Sequence, residues 1–442
     1  MKYHIHTLGC QMNIADSLRL ASGLEKLGAT KTEHIAEADI AVLNTCVVRQ
    51  SAEDRAYGWL NRVGELKRNA RPDLTVGLMG CLVGVKGNKK IANAFPDIDV
   101  FLPPSDPQPL LNLVEQQNAV KKSEIDVVGR RHALQDGELL LPADECGTTF
   151  VSYVPVVYGC SHACTFCIIP FRRGIERSRP INQIVAECRS LAQQGVKEIT
   201  LLGQIVDRYG YDLPGESNLA LLLEKVHDIA GLERIRFLTS HPNYLDDVLL
   251  RTVAELPKIC DHIEVPVQSG NNEVLENMRR GYTVEQYSKL IDRIRMFMPN
   301  GSISCDVIVG FPGETDSQFE DTCDLLLEHK FDKVHIAKYS PRPGTVSARR
   351  MADDVPAKTK ESRRKTLDDI QASVLSDINR QLLGKKVEVL VEGYQRDRWR
   401  GRTRTNKLVF FEDDSEWAGN LVDVEINWAG PWFMVGKLAP PS

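Results

Sequence analysis

Nowhere in the 442 residues does an apolar run approach the ~18 residues that a membrane-crossing helix needs. The opening Met1-Lys2-Tyr3-His4-Ile5-His6-Thr7-Leu8-Gly9-Cys10 also lacks an apolar stretch long enough for a secretory signal, so a cytoplasmic protein is expected. Excess charge of either sign is missing as well. The 55 Lys and Arg against 60 Asp and Glu leave a net charge of −5, so no global field draws in a polyanion, and any nucleic-acid surface must come from local clustering. Internal repeats and low-complexity tracts are absent, and 42% hydrophobic with 26% charged residues leaves no room for extensive disorder. An even set of cysteines is lacking too. Eleven, in a reducing compartment, argue against a disulfide framework and make metal binding the first expectation.

At roughly one domain per 100 to 200 residues the length allows two to four domains, with three as the working count. Up to about residue 118, apolar runs at 3–8, 38–43 and 74–79 read as strands and 15–27 as an amphipathic helix, an alternation that implies a parallel α/β sheet. Residues 119–148 are polar, with Lys121, Lys122, Arg130 and Arg131 among acids, and read as a linker. From 149 to about 375 the alternation grows larger. Strands are expected at 153–158, 198–202, 235–238, 262–267, 303–309 and 333–337, with helices such as 181–194, 218–229, 284–297 and 316–329 between them. Six β/α units make a partial barrel, with the site at the C-terminal ends of its strands. After a charged helix around 358–382, β-forming runs at 386–392, 407–411 and 421–428 suggest a small all-β barrel over 376–441.

The strongest local signal is Gly159-Cys160-Ser161-His162-Ala163-Cys164-Thr165-Phe166-Cys167, three cysteines spaced C-x3-C-x2-C just after an expected strand. Thiolates bind iron, and a compact loop can wrap three of them around three corners of a 4Fe-4S cube, leaving the fourth iron open. An open iron can chelate the amine and carboxylate of S-adenosylmethionine (SAM) beside an electron source, from which a 5'-deoxyadenosyl radical follows. The alternative is a zinc knuckle, but zinc normally takes four ligands, and His162 sits too close within the loop to be a natural fourth. A second set is scattered: Cys10, Cys46 in Asn44-Thr45-Cys46, and Cys81 in Met79-Gly80-Cys81. Alone, such cysteines are commonly buried core thiols. Each directly follows an expected strand, however, and neighbouring strand ends in a parallel sheet line one crevice, so the three can converge. Cys146, Cys188, Cys260, Cys305 and Cys323 read as structural.

The cysteine spacing resembles the radical SAM superfamily. Longer stretches resemble the methylthiotransferases within it over nearly the whole chain. These are Ile168-Ile169-Pro170-Phe171-Arg172-Arg173-Gly174, Ser178-Arg179-Pro180, Leu202-Gly203-Gln204, Ser240-His241-Pro242, Pro266-Val267-Gln268-Ser269-Gly270 and Gly310-Phe311-Pro312-Gly313-Glu314-Thr315. The resemblance implies an α/β chain with an N-terminal parallel-sheet (Rossmann-like) domain, a central radical SAM partial (β/α)6 barrel and a C-terminal small all-β TRAM barrel. It also implies two 4Fe-4S clusters, one on Cys160, Cys164 and Cys167 and an auxiliary one on Cys10, Cys46 and Cys81, with these six as the catalytic set. SAM contacts carried over from the family are Phe166, Gln204, Ser240, Gln268 and Asp306, though Gln204, Ser240, Gln268 and Asp306 read equally as ordinary hydrogen-bonded loop residues. Gly310-Phe311-Pro312-Gly313-Glu314 lacks the spacing and lysine of a P-loop and reads as a tight turn lining the SAM site.

Residues 396–407 carry six positive charges and one negative. If the chain is extended there, arginines at every second position share one face with Trp399 opposite. Arg396, Arg398, Arg400, Arg402, Arg404 and Lys407 are therefore candidate RNA contacts, against the alternative of a solvated edge strand. Residues 400–411 resemble the TRAM module. The runs Gly9-Cys10-Gln11-Met12-Asn13, Asn44-Thr45-Cys46-Val47-Val48-Arg49 and Gly401-Arg402-Thr403-Arg404-Thr405-Asn406-Lys407 look most like prenyl-adenosine methylthiotransferases. They imply methylthiolation of N6-(dimethylallyl)adenosine beside the anticodon, with a tRNA anticodon stem-loop and an electron donor such as a flavodoxin or ferredoxin as partners of a monomer. Alternatives are a threonylcarbamoyl adenosine or an aspartate of a ribosomal protein as acceptor, or an iron protein without turnover. Where the family commonly has an asparagine after the glutamine of Gly203-Gln204, this chain has Ile205-Val206-Asp207-Arg208.

Overall fold

The computed structural model describes residues 1–47, 50–119 and 139–439. Val48 and Arg49 lie outside them, as does most of the expected linker with Lys121, Lys122, Arg130 and Arg131. The first domain is a five-stranded parallel sheet in the order β2-β1-β3-β4-β5, with β1 at Lys2–Leu8, β2 at Thr30–Lys31, β3 at Ile40–Thr45, β4 at Thr75–Gly80 and β5 at Val100–Leu102. Helices cover both faces, so β3 is buried at every residue, as a run of Ile, Ala, Val and Leu without polar alternation requires. Cys10, Cys46 and Cys81 leave the C-terminal ends of β1, β3 and β4, which are neighbours in the sheet.

The central domain holds six parallel strands in two sheets. β6 (Val151–Pro155), β9 (Glu198–Leu202) and β10 (Arg234–Leu238) form one, and β11 (His262–Glu264), β12 (Ser302–Val309) and β13 (Lys333–Lys338) the other. Backbone pairing of Ile235 with Ile259 joins the two into an open barrel whose free edges are β6 and β13. The helices between strands begin on side-chain caps: Asn218 and Asp246 accept from Leu221 and Leu249 amides, and Thr283 and Thr315 form capping boxes with Gln286 and Gln318. A two-stranded antiparallel ribbon, β7 (Val157–Tyr158) with β8 (Arg177–Ser178), brackets the cysteine loop. Leu139 and Leu141, at the end of the expected linker, are buried in the central core, so that segment packs from there on.

The third domain closes a five-stranded barrel in the order β14-β15-β16-β18-β17, with β14 at Lys386–Gln395, β15 at Arg398–Thr403, β16 at Leu408–Phe411, β17 at Leu421–Ala429 and β18 at Met434–Leu438. It docks on the N-terminal ends of the central strands. Arg234, fully buried at the start of β10, donates to the Arg402 carbonyl at 2.7 Å, and Arg236 donates to the carbonyls of Thr403 (2.7 Å) and Arg404 (2.6 Å). The first domain docks through a second buried ionic cluster. Arg19 donates to both Glu187 oxygens at 2.6 Å and to the Tyr158 hydroxyl at 2.6 Å, while Arg179 donates to Glu187 at 2.6 Å.

Candidate active site

None of the eleven cysteines is in a disulfide, and Cys10 lies near Cys46 and Cys81, as Cys160, Cys164 and Cys167 lie near one another. In the first domain the Cys10 thiol is hydrogen-bonded to Cys46, and Cys10 and Cys81 interact electrostatically. The Cys46 contact, the Arg173 charge and backbone donors at Asn13 and Met12 pull the Cys10 thiol down to about 6, against burial, whereas burial raises Cys81. A helix N-terminus suits a thiolate, and Cys10 caps the helix Gln11–Lys26. The turn is held by Asn13, whose amide donates to Asn44 Oδ1 and the Thr45 carbonyl, both at 2.9 Å, while Asn44 donates back to the Asn13 carbonyl at 2.8 Å. Gly80, before Cys81, has φ 98°, and a Cβ there would stand 2.5 Å from the Thr45 carbonyl oxygen.

In the central domain Cys160, Cys164 and Cys167 interact electrostatically with one another. Burial raises Cys160 to about 11 and Cys167 to about 12, so without a counter-charge these thiols stay protonated. Gly159 repeats the role of Gly80: its φ is 68°, and a Cβ would lie 2.2 Å from the Ile175 carbonyl oxygen. Among the described residues no group of three Cys, His, Asp or Glu side chains is set to hold a single metal ion.

Each triad carries one buried arginine. Arg173 donates to Cys81 Sγ at 3.2 Å, to Asp16 Oδ2 at 3.3 Å through both terminal nitrogens, and to Ser105 Oγ at 3.2 Å. It sits on the short helix Ile169–Arg173, immediately after the central cysteine loop, yet every one of these partners belongs to the first domain. One side chain therefore ties the two triads together. Arg280 donates to Cys164 Sγ at 3.3 Å, to the Tyr282 hydroxyl at 3.0 Å and to the Pro266 carbonyl at 3.3 Å. Sequence reasoning assigned a role to neither arginine. Arg173 was visible only as part of the Ile168–Gly174 motif, and nothing in the spacing pointed to Arg280.

The SAM candidates lie around the C-terminal rim of the open barrel. Gln204 follows β9, Ser240 follows β10, Gln268 follows β11, and Asp306 lies within β12, its carbonyl accepting from the Gln268 amide at 2.8 Å. Ser240 is 2% exposed and its hydroxyl has no partner, and neither has His241 Nε2, so two buried polar atoms await a polar ligand here. Thr239 (φ 70°) and Gln268 (φ 76°) hold left-handed backbones, rare for a β-branched residue and typical of strained functional rims. Phe166 packs with Phe311, Tyr339, Val274 and Met278, so the 310–314 turn backs the cysteine loop. The family departure has a use: the half-buried Asp207 carboxyl group accepts the His241 amide at 2.9 Å and 3.1 Å. Arg208 donates to Glu176 at 3.0 Å and lies over the Tyr244 ring, and Ile205 packs on Cys160.

A cavity of about 740 Å³ opens between the free barrel edges β6 and β13 and the third domain. It is lined at the top by Gln11, Leu238 and Glu264 and at the base by Arg402, Lys407 and Trp432. Burial first and the Asp306 carboxylate second push Glu264 well above the usual carboxylate range, a pair that sequence reading had not seen.

The RNA candidates divide between a strand face and the domain junction. Arg398, Arg400 and Arg402 share one face of β15 opposite buried Trp399, but Arg396 and Arg404 lie beyond the strand. Arg404 donates to the Pro257 carbonyl at 2.8 Å and Lys407 pairs with Asp332 at 2.6 Å, so both hold the domains together. Arg398 pairs with Glu412, and Arg400 and Arg402 with Glu392. Cys188, Cys260 and Cys305 are buried, Cys323 is partly so, and exposed Cys146 contacts Gln194.

Fold and site together define a radical SAM protein with an accessory parallel-sheet domain and a TRAM barrel. Models of the radical SAM superfamily, of the uncharacterized protein family UPF0004 and of the TRAM domain match residues 154–326, 2–103 and 380–439. The fold resembles the radical S-adenosylmethionine methyltransferase TsrM from Kitasatospora setae at TM-score 0.57 and 14% identity, over 78% of this chain and 77% of that one. A tRNA-2-methylthio-N(6)-dimethylallyladenosine synthase of Herpetosiphon aurantiacus is 44% identical over 99% of this chain and 97% of its own length. Proteins of the same description from Roseiflexus sp. and Chloroflexus aurantiacus are 46% and 44% identical, over 99% and 98% of this chain and 90% and 91% of their own lengths. The chain belongs to the tRNA-2-methylthio-N(6)-dimethylallyladenosine synthase family.

Proposed function

We infer that this chain attaches a methylthio group to C2 of N6-(dimethylallyl)adenosine next to the anticodon of tRNA, using SAM and two 4Fe-4S clusters. The observation that supports this reading is Arg173, which leaves the helix after the central cysteine loop and donates to Cys81 and Asp16 of the first domain, so that the two thiol triads meet at one domain junction. Bound clusters and SAM would supply a carbon radical able to remove a hydrogen from an unacidic ring carbon, and a sulfur to replace it. Cys160, Cys164 and Cys167 would hold the first cluster, and Cys10, Cys46 and Cys81 the auxiliary one. Phe166, Ser240, Gln204, Gln268 and Asp306 would bind and orient SAM. Arg173 and Arg280 steady one thiolate in each set. The nucleoside would enter the cavity from the third domain, where Leu408, Trp432, Phe433 and Met434 offer apolar walls suited to a prenyl chain. Arg396, Arg398, Arg400 and Arg402 would meet the backbone of the anticodon stem-loop. A cytoplasmic monomer served by a flavodoxin or ferredoxin completes the reading, and no helix among the described residues is long and apolar enough to cross a membrane.

Mass spectrometry of tRNA nucleosides tests it: cells lacking the protein should lose the methylthio mark on prenylated adenosine, and persistence of the mark would eliminate the reading. Cys164→Ala should abolish 5'-deoxyadenosine formation while the first-domain cluster still assembles. Complete loss of iron in that variant would contradict two independent sites.

A further inference from the structure

Three aliphatic or aromatic side chains stand in solvent beside the cysteine loop. Val85 is 40% exposed, Phe171 50% and Ile175 73%. They form one patch although they come from two domains. The Val85 amide donates to the Arg172 carbonyl at 2.9 Å, and a Cβ at Gly174 would lie 3.6 Å from a Val85 methyl. The patch is also attached to the thiols. Phe171 is four residues beyond Cys167 and Val85 four beyond Cys81, while the Cys160 amide donates to the Gly174 carbonyl at 3.1 Å.

The rim is cationic in a chain whose net charge is −5. Lys86, Lys89, Lys90 and Arg177 are exposed and Arg172 partly so. In the stretches 81–94 and 168–178 the single acid is Glu176, buried and engaged by Arg208 at 3.0 Å. At the patch's edge Asp212 accepts the Ser178 amide.

We propose that Val85, Phe171 and Ile175, with their lysine and arginine rim, are the docking surface for a small acidic one-electron carrier protein that reduces the cluster on Cys160, Cys164 and Cys167. This rests on the function proposed above, which requires such a donor. Redox partners meet over small, short-lived interfaces, and an apolar centre with a charged rim suits that use. The overall negative charge of the chain would repel an acidic carrier, so a local cationic ring at the point of transfer is what steers it in. RNA would also answer to the cations, but it reads surfaces by stacking on aromatic rings, whereas two of the three central side chains are aliphatic. The step is a bare transfer: the carrier is oxidised by one electron, the cluster is reduced by one, and no bond or proton changes hands.

The test uses full-length enzyme with both clusters installed anaerobically, mixed in a stopped flow with reduced flavodoxin or with dithionite, which needs no docking surface. Ile175→Glu and the double variant Lys86→Glu/Lys89→Glu should each slow reduction by flavodoxin about tenfold or more, leave the dithionite rate unchanged, and in the double variant lose the salt dependence of the wild type. Unchanged flavodoxin rates in both variants would overturn the proposal. So would weaker binding of a prenylated anticodon stem-loop with normal flavodoxin rates, which would make the patch an RNA surface. Wild-type enzyme that yields no 5'-deoxyadenosine with dithionite and SAM would instead remove the functional reading beneath it.

Discussion

Replacing Arg173 by methionine keeps much of its length and apolar stem while deleting the charge and all its donated bonds. In the native chain the Arg173 side chain is 3% exposed and Asp16 is fully buried, with Asp16 Oδ1 already lacking any partner. Arg173→Met therefore strands a carboxylate in the interior, a change that costs about 3–5 kcal/mol because the lone charge cannot be rehydrated. The chain has several domains, so the loss should appear as an earlier first transition in thermal unfolding rather than a single shifted midpoint. Arg173→Met/Asp16→Asn separates the two jobs of the arginine. Neutralising the carboxylate should restore most of the stability, yet the Cys81 thiolate would still lack its donor, so the reduction potential of the first-domain cluster should remain more negative than in the wild type. Two results would refute the reasoning: a stability loss of under about 1 kcal/mol in the single variant, or a double variant no more stable than the single one.

Asp207→Asn keeps an acceptor for the His241 amide but removes a titration. Burial raises Asp207 from 3.8 to about 8 in the folded chain, so the folded state keeps a proton that the unfolded state gives up. That contribution to stability is fully present below 3.8 and is lost as pH rises through about 8. Unfolding scans should show the wild type losing more stability than the asparagine variant between pH 5 and pH 8, and parallel profiles would dismiss the buried-acid account. Gly159→Ala meets backbone carbonyls that cannot step aside, so iron analysis should find a single cluster, the one on Cys10, Cys46 and Cys81. Two clusters in that variant would mean the 159–167 loop tolerates a different path.

The long elements were legible because their apolar periods are strong. Val284–Phe297, Asp316–His329 and Glu198–Leu202 begin and end where the sequence put them, the two helices being fixed by Thr caps. The strand expected at 262–267 stops at Glu264, since the chain must bend toward the left-handed Gln268 at the barrel rim. Cys10, Cys46, Cys81 and Cys160 each stand just past a strand end, as the apolar runs before them imply. Arg280 has no such local signal: its use depends on Cys164, 116 residues away and brought close only by the fold. The same holds for the contacts of Arg404 with the Pro257 carbonyl and of Lys407 with Asp332, which no local charge count shows.

The two triads share a local plan and differ in one respect that bears on the chemistry. Each places a cysteine after a glycine with left-handed φ and sets a buried arginine against one sulfur. Arg280 is otherwise bonded to the neutral Tyr282 hydroxyl and Pro266 carbonyl, so its charge falls on the thiolates of its own loop. Arg173 divides its charge between Cys81 and Asp16, and it crosses a domain boundary to do so. A cluster stabilised by an undivided positive charge accepts an electron more readily than one whose arginine is half neutralised. With clusters bound, Arg280 would therefore raise the reduction potential at Cys160, Cys164 and Cys167 more than Arg173 would at Cys10, Cys46 and Cys81. Because the helix that carries Arg173 continues directly from the central cysteine loop, the segment that bears Cys160, Cys164 and Cys167 also brings the donor to Cys81, while each triad keeps its own three thiols.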